Sequence, residues 1–145
     1  MSDGIFSIIG SALNAQDLRM GAISSNLANA SSVAAPGEQP YRAHELVFQA
    51  QPVAGGAYDG SALSGNADLG VQVVANVQSN APLNKKYDPG NPYADASGYV
   101  TSSNVSPVEE MVNMIDSSHS YAASVAMLQQ ASRIDQQMIS SFQVV

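Results

Sequence analysis

The sequence contains no cysteine and no tryptophan, and it has only three phenylalanines and five basic residues. Without cysteine the chain cannot form disulfides, thiolate-bound metal sites or a cysteine nucleophile. Twelve acidic residues leave a formal net charge of −7, and Lys85 and Lys86 form the one pair of adjacent basic residues. Binding of nucleic acid or of anionic membrane surfaces requires clustered lysine and arginine. The charge balance therefore argues against both kinds of partner.

Long apolar runs are also missing. No stretch approaches the roughly 18 apolar residues of a membrane-spanning helix. The first residues, MSDGIFSIIGSALNAQDLRMG, lack a basic start and carry polar side chains throughout, so we expect no cleavable secretory signal. The length of 145 residues predicts one domain. A soluble cytoplasmic protein is the plain expectation, and an extracytoplasmic one requires an export route that reads no such signal.

Apolar residues that recur at alternating spacings of three and four positions predict an N-terminal helix over residues 4–31. Within this range, Gly10, Gly21 and the stretch SSNLANASSV (24–33) are weak helix formers. Gln16 is the one polar interruption of this repeat. The residues on it are Phe6, Ile9, Leu13, Met20, Ile23, Leu27 and Ala30. Asn26 and Asn29 are candidates for hydrogen bonds to a neighbouring helix. In the alternative, Asn29 and Ser31 merely fray the helix end.

The middle of the chain, residues 32–105, concentrates glycine and proline and predicts a small β-rich insert. Turn-forming sequences occupy residues 35–40, 54–60 and 87–92. Alternating or β-branched segments predict strands at 41–50, 69–78 and 98–102.

A second helix is predicted over residues 106–142. Ser106 suits the N-cap, Pro107 the first helical position, and Glu109 stands three residues after the cap, which together form a capping box. The apolar members of the repeat that follows are Met111, Met114, Tyr121, Val125, Leu128, Ile139 and Phe142.

The predicted fold class is α+β, with long N- and C-terminal helices that pair as a coiled coil and a small β-rich central insert. Residues 4–31 and 106–142 would together form one helical domain. Further apolar residues flank both repeats, and a single chain has no other helices to cover them. They are Ile5, Ile8, Leu18, Val112, Ile115, Met127, Ala131, Ile134 and Met138. Other protein copies are expected to bury them, as an interface between helices.

Catalytic residues are not apparent. Asp116, Ser118 and His119 are the residue types of a catalytic triad, but three nearly adjacent helical residues point in different directions and cannot converge. The glycine-rich stretches match no phosphate-binding loop or dinucleotide-binding motif. We therefore expect no enzyme and no cofactor, and an interface or surface position for His119.

Metal ligands are also weakly supported. His44 and Glu45 face opposite sides of a predicted strand, and only one other histidine exists. Asp88, Asn91 and Asp95 do not have the spacing of a calcium-binding loop, and an ordinary turn accounts for them. No metal site is predicted.

The residues of three segments resemble the flagellar rod and hook proteins. SALNAQDLRMGAISSNLANASSV (11–33) is similar to the N-terminal helix and S-x-N-L-A-N signature of that family, and PYRAHELVF (40–48) to the segment that follows it. APLNKKYDPGNPYADASGYVTSSNVSPVEEMVNMIDSSHSY (81–121) resembles more specifically the members of the proximal rod. The loop 51–68 and the tail after residue 130 depart from the family pattern.

The resemblance implies a structural subunit of the basal-body rod, the drive shaft that transmits torque across the bacterial periplasm. It implies paired terminal helices in an inner tube, with the β-rich insert outside. It also implies export through the flagellar type III apparatus without a cleaved signal. The implied partners are copies of the chain, proximal and distal rod subunits and the adaptor between rod base and MS ring.

Two other functions stay open at this point. An acidic cytoplasmic coiled-coil adaptor or secretion chaperone would also use capped helices with such repeats, although it would not need the turn-rich insert. A small hydrolase has less support, because no set of catalytic residues converges.

Overall fold

The chain, described here from a computed structural model over residues 2–35, 37–52 and 69–142, has two long helices with short strands between them. In chain order the elements are α1 (Ser2–Asn29), β1 (His44–Pro52), β2 (Leu69–Gln78), β3 (Asn84–Tyr87), β4 (Tyr99–Ser102) and α2 (Pro107–Phe142). This order confirms the predicted α+β class. The predicted turn at 54–60 and most of the loop 51–68 lie outside the described residues.

Helix α1 ends two residues earlier than predicted, at Asn29, where turn-type hydrogen bonds replace helical ones. The amide of Ala30 donates to the carbonyl of Leu27 at 3.3 Å, and the amide of Ser32 to that of Asn29 at 3.0 Å. Ser32 also donates through its hydroxyl to the same Asn29 carbonyl at 2.7 Å. Serine side chains that bond local backbone in this way favour turns over continued helix.

The strands form two separate two-stranded sheets, β1 with β2 and β3 with β4. Strands β3 and β4 are antiparallel, with Asn84 opposite Ser102 and Tyr87 opposite Tyr99. Strand β2 has the bounds predicted from alternation. Strand β3, with the sequence NKKY, was not predicted because it is polar and fully exposed, so no alternating pattern marks it.

The turn between β3 and β4 depends on a glycine. Gly98 has a φ of +80°, a conformation that residues with a Cβ rarely adopt. The Asp95 carboxylate accepts hydrogen bonds from the amides of Ser97 at 2.8 Å and Tyr99 at 3.0 Å. These bonds hold the pKa of the Asp95 carboxyl below its ordinary value, the Tyr99 amide contributing most.

Two compact units make up the chain, and each takes part of both helices. The first unit consists of Met1–Leu18, Phe48–Val74 and Ser117–Val145, and the second of Arg19–Val47 and Ala75–Asp116. The apolar core of the second unit contains Ile23, Ala43, Val100 and Val105. In the first unit the described buried side chains are Ile9, Ala15, Ser117 and Ser124.

Candidate assembly surface

Asn26 is the centre of the hydrogen bonding in the second unit, where its side chain is only 2% exposed. Its Oδ1 accepts from the His44 amide at 2.8 Å and from the Tyr41 hydroxyl at 2.9 Å. Its Nδ2 donates to the His44 carbonyl at 2.9 Å and to Glu110 Oε2 at 3.3 Å. An asparagine side chain offers two donors and two acceptor lone pairs, so Asn26 is fully satisfied. It thereby joins α1 to the start of β1 and to the first turn of α2.

Asn104 satisfies backbone groups just before β1 and just after β2. Its Oδ1 accepts from the Ala43 amide at 2.8 Å, and its Nδ2 lies 3.2 Å from the Ala81 carbonyl. Arg42 Nη1 donates to that carbonyl as well, at 3.2 Å, and to the Ser79 carbonyl at 3.0 Å. These half-buried polar groups, together with the buried Asn26, connect the segments of the second unit through directional hydrogen bonds.

Helix α2 begins at the predicted position, but the side-chain hydrogen bonds of the predicted capping box are not seen. The Ser106 carbonyl accepts from the Glu110 amide at 3.0 Å, which places Ser106 at the N-cap. Within the described ranges, neither the Ser106 hydroxyl nor the Glu109 carboxylate has a hydrogen-bond partner. Glu110 accepts the bond from Asn26 instead.

Helix α2 buries small polar side chains and exposes large apolar ones. Ser117 is 0% and Ser124 is 6% exposed. On the opposite side, Val108, Val112 and Ile115 are 69%, 61% and 58% exposed, and we call these three residues the outward face. Burial of one such side chain contributes about 1.5–3 kcal/mol. In an isolated chain, the free energy that burial of these three side chains could contribute to stability is therefore not realised.

The residues of the first predicted repeat all lie on the less exposed side of α1. Ile9 and Ile23 are buried, whereas Phe6, Leu13, Met20, Leu27 and Ala30 are half-buried. Asn29 does not reach another helix, because its Nδ2 donates to the Ser25 carbonyl of its own helix at 2.9 Å.

The residues of the second predicted repeat are divided between the sides of α2. Met114, Val125 and Leu128 are half-buried, and Met111, Tyr121 and Ile139 are exposed. The Phe142 side chain lies outside what the structure describes. Ser117 and Ser124 share the buried side, and because they are polar the apolar repeat does not point to them.

An apolar groove of about 590 Å³ lies within the first unit, between residues of α1 and α2. Gln130 and Asp135 are the polar residues of its lining. The apolar residues are Ile5, Phe6, Ile8, Ile9, Met127, Ala131, Ile134 and Met138. Six of the residues that flank the predicted repeats therefore border one depression, together with two members of the first repeat.

The residues considered for catalysis and metal binding have ordinary partners. Asp116 lies 3.8 Å from the Arg19 guanidinium, and His119 is exposed. His44 Nδ1 lies 3.0 Å from Asn76 Oδ1. Over the described part of the chain, no group of three or more histidine or acidic residues has the arrangement of a metal site. No helix among those residues is both long and apolar enough to span a bilayer.

Tyr41, His44 and Glu110 were not predicted as partners of Asn26. The available signal was the S-x-N-L-A-N signature itself, which marks Asn26 but says nothing of what it binds. Glu110 is one of two adjacent glutamates, and the capping pattern favours the other, Glu109.

Two family models match the ends of the chain. The flagella basal body rod protein model matches residues 8–34, and the model of the C-terminal part of flagellar basal body rod FlgEFG proteins matches residues 96–141. The two matches cover most of α1 and almost all of α2.

Several curated relatives named flagellar basal-body rod protein FlgC match most of the chain. The protein of Salmonella typhimurium is 48% identical over 124 residues, which cover 86% of this chain and 85% of its own length. That of Yersinia enterocolitica is 46% identical over 126 residues, with the same coverage. That of Bacillus subtilis is 40% identical over 124 residues, or 81% of this chain and 83% of its own. With this identity over more than four fifths of its length, the chain belongs to the FlgC family of flagellar basal-body rod proteins, and its function is that of a structural subunit of the rod.

Proposed function

We propose that the chain joins the rod by burying the outward face of α2 and the apolar groove of the first unit against neighbouring rod subunits, and that it catalyses no reaction. The observation that carries this proposal is the exposure of Val108, Val112 and Ile115 on the helix whose buried side holds serines. Contiguous exposed apolar residues mark interaction surfaces in soluble proteins.

The predicted interface residues lie along both helices, and we propose that those with exposed surface take part in the same contacts, whereas Ile9, Ile23 and Asn26 support the helices from within the chain. On α1 the predicted residues are Phe6, Ile9, Leu13, Met20, Ile23, Asn26, Leu27 and Asn29, and on α2 Met111, Met114, Tyr121, Val125 and Leu128. We propose that α1 and α2 together form the helical rod-core domain, with residues 32–105 as a separate insert. Burial of the outward face alone would contribute several kcal/mol per copy, at about 1.5–3 kcal/mol for each side chain.

The partners that we propose are copies of this chain, other proximal and distal rod subunits and the adaptor at the rod base. The proposed location is the periplasmic part of the basal body, reached through the flagellar type III export apparatus without a cleaved signal. The rod-protein matches at both helices support these proposals over a cytoplasmic adaptor or chaperone.

A charge on the outward face tests the proposal. Ile115→Lys adds an ammonium at a position that is 58% exposed, so the isolated chain should remain as stable as the wild type. In the rod the same ammonium would be desolvated without a partner, which costs several kcal/mol. Cells in which this variant replaces the wild type should export the protein, lack it in purified basal bodies and fail to swim.

Gln72→Lys is the matched control, because Gln72 is an exposed polar residue of β2 and the substitution adds the same charge. It should be incorporated, and its cells should swim. Normal swimming of Ile115→Lys cells, with the variant present in their basal bodies, would contradict the proposed interface.

A further inference from the structure

Apolar burial alone does not account for the side of α2 that turns toward α1. In the first turns of α2 the large apolar residues are Val108, Met111, Val112, Met114 and Ile115, and all but Met114 fall within an arc of about 100° on the side away from Glu110. Of these only Met114 is half-buried, and the other four are exposed. An interaction other than apolar burial must therefore select the buried side.

The bond between Asn26 and Glu110 has the right position to make this selection. At about 100° per residue, Ser117 lies only about 20° around the helix from Glu110. The three residues of the outward face lie about 140–200° from Glu110 by the same geometry. Drawing Glu110 toward α1 therefore turns Ser117 inward and Val108, Val112 and Ile115 outward, as observed.

Asn26 can act in this way because its own position is determined by other contacts. The His44 backbone binds it through both amide and carbonyl, at 2.8 and 2.9 Å, and the Tyr41 hydroxyl binds it at 2.9 Å. Tyr41 is itself held, with its hydroxyl 3.1 Å from Ser25 Oγ and its ring 5.4 Å from that of His44. The Nδ2 group thus presents its second hydrogen to α2 in a defined direction.

We infer that Asn26, acting through Glu110, is a positioning residue that sets the rotation of α2 and so keeps an apolar face turned outward, at the expense of burial within the chain. This role goes beyond membership of the rod, since it concerns how one subunit prepares its surface before any neighbour is present. Single buried polar residues set helix register in coiled coils by the same principle.

Cysteine labelling tests the inference directly, since the natural chain has no cysteine. Ile115→Cys and Ser117→Cys each introduce one thiol, on the outward and the buried side. In the purified full-length chain a maleimide should modify the thiol at position 115 at least about 10-fold faster, because access to position 117 requires local opening. Removal of the positioning bond by Asn26→Leu should bring the ratio of the two rates toward one or below it.

Matched variants make the result specific. Asn29→Leu is the control for Asn26→Leu, because the Asn29 side chain bonds only its own helix, and it should leave the ratio unchanged. Glu110→Ala removes the bond while Asn26 keeps its three bonds to Tyr41 and His44, so it decides the question if Asn26→Leu loses helical circular dichroism. Its control is Glu109→Ala, which removes the same charge from the exposed neighbour.

The inference is overturned if the maleimide rates at positions 115 and 117 are nearly equal in chains that carry no other substitution. It is also overturned if folded Glu110→Ala keeps the same ratio of rates as those chains. It is also overturned if the control variants lower the ratio as much as their counterparts. None of these measurements requires rod assembly. They can therefore fail while the proposed interface holds, and the reverse is also true.

Discussion

Replacement of Gly98 by alanine should destabilise the turn between β3 and β4 by an amount that the structure allows us to calculate. The positive φ of +80° costs a residue with a Cβ about 1–2 kcal/mol. The new Cβ would also lie 2.9 Å from Tyr87 Cε2 and 3.3 Å from Pro89 Cβ. Real Cβ atoms do not approach other carbons so closely, so the Tyr87 ring has to move.

The movement of Tyr87 disrupts its contact with Tyr99, whose ring lies edge-on at a centroid distance of 5.3 Å. Such aromatic pairs contribute about 0.5–1.5 kcal/mol beyond their buried area. Tyr87 is largely exposed, so its ring can swing into solvent and the clash itself adds little more. The total expected loss in the free energy of unfolding is about 1.5–3.5 kcal/mol.

Urea denaturation followed by tyrosine fluorescence measures this loss, since the chain has no tryptophan to mask the signal. Gly90→Ala is the control in the same turn region. Its φ is not in the positive range, and its added Cβ would meet only Asp88 Oδ1, at 3.9 Å. It should change stability by less than about 1 kcal/mol. Equal urea midpoints for the two variants would refute the reasoning.

Two further measurements follow from the hydrogen bonds of the second unit. The lowered pKa of Asp95 means that its contribution to stability is fully present above the ordinary carboxyl pKa of about 3.9 and is lost as the pH falls through the lowered value. NMR resonances of the Ser97 and Tyr99 amides should therefore shift together as the Asp95 carboxyl is protonated in acid. Asp95→Ala should abolish that shift. Amide shifts with different pH midpoints would contradict the expectation. In hydrogen exchange, amides of residues 19–29 should exchange more slowly than those of residues 4–10, because Asn26 and its partners stabilise only the former. Uniform exchange along α1 would contradict this second expectation.

The sequence was sufficient to predict the elements that carry a strong period or a turn signal. Both long helices follow from repeats with spacings of three and four, and β2 from strict alternation. Strand β3 escaped prediction because all four of its residues are exposed, so its pairing with β4 depends on backbone hydrogen bonds that leave no apolar pattern.

The candidate surface was harder to predict, because a repeat of apolar residues does not say which side of a helix turns inward. The repeat in α2 includes Met111, which is exposed, and passes over Ser117, which is buried. The selection depends on the contact between Asn26 and Glu110, whose positions are 84 residues apart in the sequence. Long-range polar contacts of this kind carry no periodic signal along the chain.

The hydrogen bonds within the chain and the apolar contacts proposed between subunits have different mechanical properties. Hydrogen bonds such as those of Asn26 are directional and weaken steeply when their angles change, whereas apolar contacts depend on area and tolerate small displacements. A twisting load on the rod would therefore be accommodated by slippage between neighbouring apolar faces before it deformed the second unit. Each subunit would then behave as a stiff body with deformable interfaces. The elasticity of the rod would arise at the contacts between subunits, and the subunits themselves would keep their shape.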